Sequence, residues 1–176
     1  AEKLTALRRA MAQRGLAAYL VPTDDFHASE YVSDYFKARE YLSGFTGSAG
    51  TLLILPSRAL LWTDGRYFLQ AESQLAGSGI ELMRSGEPDV PTLERFLLAE
   101  LEDGSLLGFD ARTVNTALAR RLGNKLRTKH IRFAGDEDLV DALWPDRPPL
   151  SAAPVWELGI DYAGEARADK LARVRA

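Results

Sequence analysis

The chain has 176 residues, enough for one domain or for one domain and the start of another. With 46% hydrophobic and 27% charged residues it has the balance of a folded globular protein, and 22 Lys and Arg against 25 Asp and Glu leave a net charge of −3, too weak a field to recruit nucleic acid or anionic lipid. It contains no cysteine and only two histidines, His27 and His130, which excludes disulfides, thiolate zinc sites, a cysteine nucleophile and a histidine-rich metal site.

No apolar run approaches the roughly 18 residues of a membrane span, and the charged N-terminus lacks the apolar stretch of a signal peptide, so the expected compartment is the cytoplasm. Leu4, Leu7, Met11 and Leu16, with charged residues between them and Gly15 as a stop, predict an amphipathic helix over 2–15. Ala17–Val21, closed by Pro22, predicts a buried strand running into the polar loop Thr23-Asp24-Asp25. The apolar runs 51–55 and 59–63 around Pro56-Ser57-Arg58 predict a β-hairpin. A helix over 66–75, a strand over 80–83, a helix over 92–102, a strand over 106–110, a helix over 113–122 and a strand over 131–133 follow, and Asp136 is expected to cap a last helix through Trp144. Strands alternating with helices, plus one hairpin, predict an α/β fold: a mixed β-sheet with one antiparallel hairpin and helices on both faces.

Pro145, Pro148, Pro149 and Pro154 mark 145–160 as a semi-rigid linker after a domain over 1–144. Beyond it, Asp169-Lys170-Leu171 with Val174-Arg175 echoes Glu2-Lys3-Leu4 with Leu7-Arg8, either because amphipathic helices converge on such patterns or because 161–176 opens a second, repeated domain. Ala1 in place of Met and a stop inside that helix suggest a cut chain.

Three motifs could carry chemistry. The glycines of Gly44-Phe45-Thr46-Gly47-Ser48-Ala49-Gly50 invite a phosphate-loop reading, but no Lys and no helix follow, so the segment reads as a structural loop whose glycines allow bulges or close packing. The carboxylates and imidazole of Asp24, Asp25, His27 and Glu30 could hold a cation, yet one histidine falls short of a two-metal centre, and the segment reads as loop and capping chemistry. The third, Trp62-Thr63-Asp64-Gly65-Arg66-Tyr67, is the most informative. A helix starting at Gly65 places Arg66 in its first turn, where the macrodipole disfavours a cation by about 0.3–1 kcal/mol, so an anion should offset it. That anion is either the carboxylate of a ligand or an internal partner among Asp24, Asp25 and Asp64.

Together, Ala18-Tyr19-Leu20-Val21-Pro22, His27-x-Ser29-Glu30-Tyr31, the glycine loop from Ser43 to Thr51 and Trp62–Ala71 closely resemble the N-terminal domain of Xaa-Pro aminopeptidases, the three-domain branch of the creatinase/prolidase superfamily. Leu139-Val140-Asp141-x-x-Trp144-x-Asp146-Arg147-Pro148 and Asp161-Tyr162-Ala163-Gly164 fit the same family, so the resemblance covers nearly the whole chain.

The resemblance implies a peptidase that releases the N-terminal residue from peptides with proline second, using two divalent metal ions, usually manganese, in a C-terminal domain whose Asp, His and Glu ligands have no counterparts here. It implies that a second domain repeats the first, that Arg66 matches a peptide-contacting position, and that such domains gate the site and mediate homodimer contacts. It assigns His27 no role. On this reading the chain is non-catalytic and holds no metal, and its partners are the Xaa-Pro peptide and its own further domains. Two rivals remain: a binding module of a pita-bread protein that has lost its metal ligands, and a prolidase or creatinase relative.

Overall fold

The structure, a computed structural model, describes residues 2–176. Helix α1 (Glu2–Gln13) buries Leu4, Leu7 and Met11 and stops before Gly15, whose φ of +65° turns the chain back. Spacings of three and four put those side chains on one stripe, and each contributes about 1.5–3 kcal/mol when removed from water. The chain then enters β1 (Ala18–Pro22), buried along its whole length.

Helix α2 (Ala38–Ser43) precedes the glycine loop, which leads into β2 (Thr51–Ile54) and β3 (Ala59–Thr63). After a 3-10 turn at Gly65–Tyr67 come α3 (Phe68–Leu75), β4 (Glu81–Arg84), α4 (Leu93–Glu100), β5 (Leu106–Phe109), α5 (Thr116–Leu126) and β6 (Arg132–Ala134). The six strands form one sheet in the order β4-β3-β2-β1-β5-β6.

β2 and β3 form the expected hairpin, with Ile54 opposite Ala59 and Leu55 N–H bonded to the Arg58 carbonyl at 2.9 Å. β2 is also antiparallel to β1, whereas the β1–β5, β3–β4 and β5–β6 pairs are parallel. Five strands therefore run one way and β2 alone runs the other.

Period-two alternation sorts the strands into two cores. Tyr19, Val21, Leu52, Ile54 and Leu61 face α1, α2 and α3, while Leu20, Leu53, Leu60, Trp62 and Leu107 face α4 and α5. Both faces being covered explains why these strands read as unbroken apolar runs.

Two expectations require correction. The helix expected over 113–122 is α5 at 116–126, because Asp110 caps a separate 3-10 turn at Ala111–Thr113 and Asn115 accepts the Leu118 N–H at 2.9 Å to start the helix anew. The helix expected from Asp136 to Trp144 is absent apart from a 3-10 turn at Asp141–Leu143. Its acidic residues serve tertiary partners: Glu137 pairs with Arg14, and Asp138 Oδ2 accepts from Arg112 and Arg147 at 3.0 and 2.6 Å. The Tyr19 hydroxyl accepts the Leu139 N–H at 3.1 Å and donates to the Glu137 carbonyl at 3.3 Å, so the start of this strip is fastened to β1 instead of coiling into a helix.

Arg147, with its side chain only 6% exposed, donates to the Tyr35 carbonyl and to Asp138 and Asp141, which fastens the chain to the body up to that residue. From Pro148 onward no described residue is buried. This segment includes α6 (Ile160–Ala163) and α7 (Arg167–Arg175), in which Leu171 and Val174 are exposed.

Candidate functional site

The parallel strands β1 and β3 end at Pro22 and Thr63 on the same edge of the sheet, where the oppositely directed β2 begins at Thr51. Ligand sites of open α/β sheets lie outside such carboxyl ends. Three segments meet here: Thr23–Asp25 after β1, the glycine loop 44–50 before β2, and Asp64–Tyr67 after β3.

The glycine loop is tied down at almost every residue. Thr23 donates from its N–H and its hydroxyl to the Gly50 carbonyl, and the Thr63 hydroxyl donates to the Ala49 carbonyl at 2.7 Å. Gln70 and Gln74 of α3 both donate to Thr46 Oγ1 at 2.9 Å. The hydroxyls of Ser48 and Tyr67 share a hydrogen bond of 2.7 Å. The close-packing role expected of the glycines holds at Gly47, where an added Cβ would lie 2.3 Å from Phe45 Cζ and 2.8 Å from Tyr67 Cδ1.

Beneath the loop lies Arg39, 4% exposed. Its Nε donates to Thr23 Oγ1 at 2.7 Å, its Nη1 to the Phe45 carbonyl at 2.6 Å, and its Nη2 to the Gly47 carbonyl. None of these acceptors is charged. Burial accordingly pulls the guanidinium down to about 10, which leaves it a cation at neutral pH.

Arg66 is the opposite case, with 65% of its side chain exposed. Nε and Nη2 each donate to the Asp64 carboxylate at 2.9 Å, and Asp64 Oδ1 also accepts the Arg66 N–H at 3.1 Å, capping the 3-10 turn. These bonds hold the Asp64 carboxyl below its ordinary value and raise the guanidinium. Of the three internal anions considered, Asp64 is the one present; among the described residues nothing accepts from Nη1 of Arg66. The guanidinium stands 5.2 Å from the centre of the Tyr67 ring.

Asp24, Asp25, His27 and Glu30 do not converge. Asp24 accepts from Asn115 at 3.0 Å, the Asp25 carboxylate accepts the N–H groups of His27 and Ser29, and the His27 ring packs edge-on to Phe26. Burial pushes the Asp25 carboxyl up, but the hydrogen bonds from Ser29 and His27 outweigh it and hold the group below its ordinary value. Among the described residues no three His, Asp or Glu side chains are grouped so as to hold a metal ion. The two metal ions implied by the resemblance therefore find no ligand set among the described residues.

A cleft of about 260 Å³ opens beside the loop, walled by Glu30, Tyr31, Phe36, Arg39, Gly47 and Ser48. A larger hollow of about 510 Å³ lies by Tyr41 and Trp144, but both of its lysines are already engaged: Lys3 donates to the Tyr41 carbonyl at 2.9 Å, and Lys37 meets Asp34 at 2.6 Å. The smaller cleft, whose Ser48 is hydrogen-bonded to Tyr67, is the better candidate. Sequence reasoning singled out Arg66 and passed over Arg39, although Phe36, Arg39 and Leu42 recur at spacings of three and so place Arg39 on the buried stripe.

The sequence profile of the Creatinase/Prolidase N-terminal domain matches residues 3–143. A probable Xaa-Pro aminopeptidase P of Laccaria bicolor is 41% identical over 176 residues, and aminopeptidase P2 of Arabidopsis thaliana is 39% identical over 181; each aligns with 99% of this chain. The chain spans about a quarter of the length of these curated relatives. Among solved structures, X-prolyl aminopeptidase from Caenorhabditis elegans, a cytosolic enzyme with a di-nuclear active site, superimposes with a TM-score of 0.86 at 37% identity, over 99% of this chain and 30% of that one. The N-terminal domain of the cytoplasmic peptidase PepQ from Mycobacterium tuberculosis gives 0.59 at 29% identity, over 81% of this chain and 98% of its own. With four-fifths of its length matched by one profile and its sheet shared with these proteins, the chain belongs to the creatinase/prolidase N-terminal domain family.

Proposed function

We propose that the chain is the N-terminal part of a cytoplasmic Xaa-Pro aminopeptidase, a hydrolase that releases the first residue of peptides with proline second. In this reading the hydrolytic step belongs to a further domain holding two divalent metal ions, with manganese the expected metal. The present domain covers the entrance, excludes long or folded chains and contributes a substrate contact and homodimer contacts. Residues 1–144 with their anchor at Arg147 form the domain, the following proline-rich stretch is a linker, and 161–176 begin a second domain whose sheet would cover Leu171 and Val174.

The observation that carries the reading is the state of Arg66. Its planar cation is fixed in direction by Asp64 yet mostly exposed, at the carboxyl edge of the sheet where ligands bind. A held but solvated guanidinium loses little on meeting a peptide carbonyl or terminal carboxylate, and its fork suits either. The names of the relatives support the substrate class.

The test is Arg66→Ala in the full-length protein, assayed on Xaa-Pro peptides of increasing length. A charge-assisted hydrogen bond of about 1.5–3 kcal/mol corresponds to a loss of about ten- to a hundredfold in kcat/KM. The loss shrinks with peptide length if Arg66 holds a terminal carboxylate and is constant if it holds a backbone carbonyl. Unchanged kcat/KM ends the substrate role, and turnover by residues 1–176 alone would overturn the assignment of chemistry to another domain. Truncation after Pro148 should shift Tm of the 176-residue chain by no more than a few degrees, since it removes no buried side chain; a large drop refutes the boundary.

A further inference from the structure

We infer that Arg39 is the positioning residue of this edge, setting the place of Arg66 through the glycine loop, Ser48 and Tyr67. The inference rests on the substrate-contact reading of Arg66.

The chain of contacts is continuous. Arg39 grips the carbonyls of Phe45 and Gly47 from below, and with Nε it grips Thr23 Oγ1 in the loop after β1. Those two carbonyls bracket the loop just before Ser48, whose hydroxyl is bonded to Tyr67 at 2.7 Å. The Tyr67 ring stands edge-on to Phe45 at 6.0 Å and against Gly47, at a separation that leaves no room for a Cβ. The Arg66 guanidinium lies over the same ring, at 5.2 Å from its centroid. Three segments that share no strand are thus referred to one buried fork.

The choice of residue is informative. Ordinary loop anchoring needs a donor, and a neutral amide would provide one without burying a charge. Arg39 is a cation sunk to 4% exposure on neutral acceptors alone, an arrangement that desolvation opposes. What a guanidinium supplies and an amide or ammonium does not is a rigid plane with donors diverging toward three acceptors at fixed angles. That geometry sets loop position, and with it the ring on which Arg66 rests.

The experiment is a double-mutant cycle in the full-length protein, with Xaa-Pro peptide hydrolysis and thermal melting read on the same samples. Arg39→Lys keeps the charge and removes the fork. It should lower kcat/KM by about three- to tenfold beside Arg66, and by less than about twofold in the Arg66→Ala background, because a positioning residue has nothing left to position. A merely structural role would lower Tm in both backgrounds and give factors that multiply. Ser48→Ala, which cuts the link above the loop, should show the same coupling to Arg66→Ala and serves if Arg39→Lys fails to fold. Multiplying factors, or wild-type kcat/KM in a folded Arg39→Lys protein, overturn the inference while leaving Arg66 as a substrate contact. Unchanged kcat/KM in Arg66→Ala alone overturns that contact and the relay with it.

Discussion

Two arginines stand at this edge, Arg39 over the Phe45 ring and Arg66 over the Tyr67 ring, and the fold treats them in opposite ways. Arg39 is buried, meets only neutral oxygens and has its proton affinity lowered; Arg66 is largely exposed, grips a carboxylate with two nitrogens and has its affinity raised. The pairing of charge with burial is the reverse of what ion-pair stability suggests, since the carboxylate sits with the arginine that water already solvates. A carboxylate beside Arg39 would relieve its desolvation but would displace a loop carbonyl from the fork. Arg66, if it is to meet a ligand, gains from a partner that fixes its direction while leaving it wet. The contrast therefore divides architecture from contact.

Substitution of Arg39 should expose the difference most strongly. Arg39→Met fills similar space but leaves Thr23 Oγ1 and the carbonyls of Phe45 and Gly47 without their donors. The expected loss is about 2–4 kcal/mol, three hydrogen bonds and the cost of orphaned acceptors less the relief of not burying a cation. Arg66→Ala, by contrast, removes an exposed, solvent-screened pair and should leave stability almost unchanged. Urea unfolding of the two variants checks both, and equal losses would erase the distinction.

Gly47→Ala should come next in size. The new Cβ meets two aromatic rings at distances no real side chain tolerates, so Phe45 and Tyr67 must shift, at a cost of about 1–3 kcal/mol typical of overpacking. Because Tyr67 carries Arg66 on its face, this variant should also move the Arg66 side-chain resonances, whereas an equally destabilising cavity in the far core, such as Leu122→Ala, should leave them in place. If both variants move them, the loop is no special support.

Much of this was legible in advance, for physical reasons that differ by element. The strands β1, β2 and β3 are covered on both faces, so apart from Thr51 and Thr63 at their ends the residues are apolar or aromatic and the runs are unmistakable. Helices α1 and α4 bury one stripe each and show its period. Arg66 stood out because a cation at the start of a helical turn requires an anion, and Asp64 is that anion. The strip 136–144 misled because Asp136, Glu137 and Asp138 resemble a helix start, whereas their competing partners, Arg14, Arg112 and Arg147, are brought in by the tertiary fold. The Arg39 fork was hidden for a similar reason: its acceptors are backbone carbonyls, which no residue type announces, and only the stripe from Phe36 to Leu42 hinted at its burial.

The smallest effect is the pH dependence of the Arg66–Asp64 grip, and its sign is fixed. Asp64 is held below its ordinary value of 3.8, first by the side-chain hydrogen bond from Arg66 and then by that residue's N–H. Near that pH the unfolded chain binds more protons than the folded one, so stability rises with pH there. The contribution is complete above 3.8 and disappears as pH falls through the lower folded value. In Arg66→Ala the main cause is gone while the N–H remains, so the Asp64 carboxyl should move up toward 3.8 and the Tm gap between the two proteins should close on acidification. Salt should narrow the same gap at neutral pH, since the pair is exposed. Carbon-detected NMR titration of Asp64 reads the shift directly. If Asp64 titrates identically in both proteins, Arg66 is not what the carboxylate holds, and the exposed arginine loses the fixed direction that distinguishes it from any other cation on the surface.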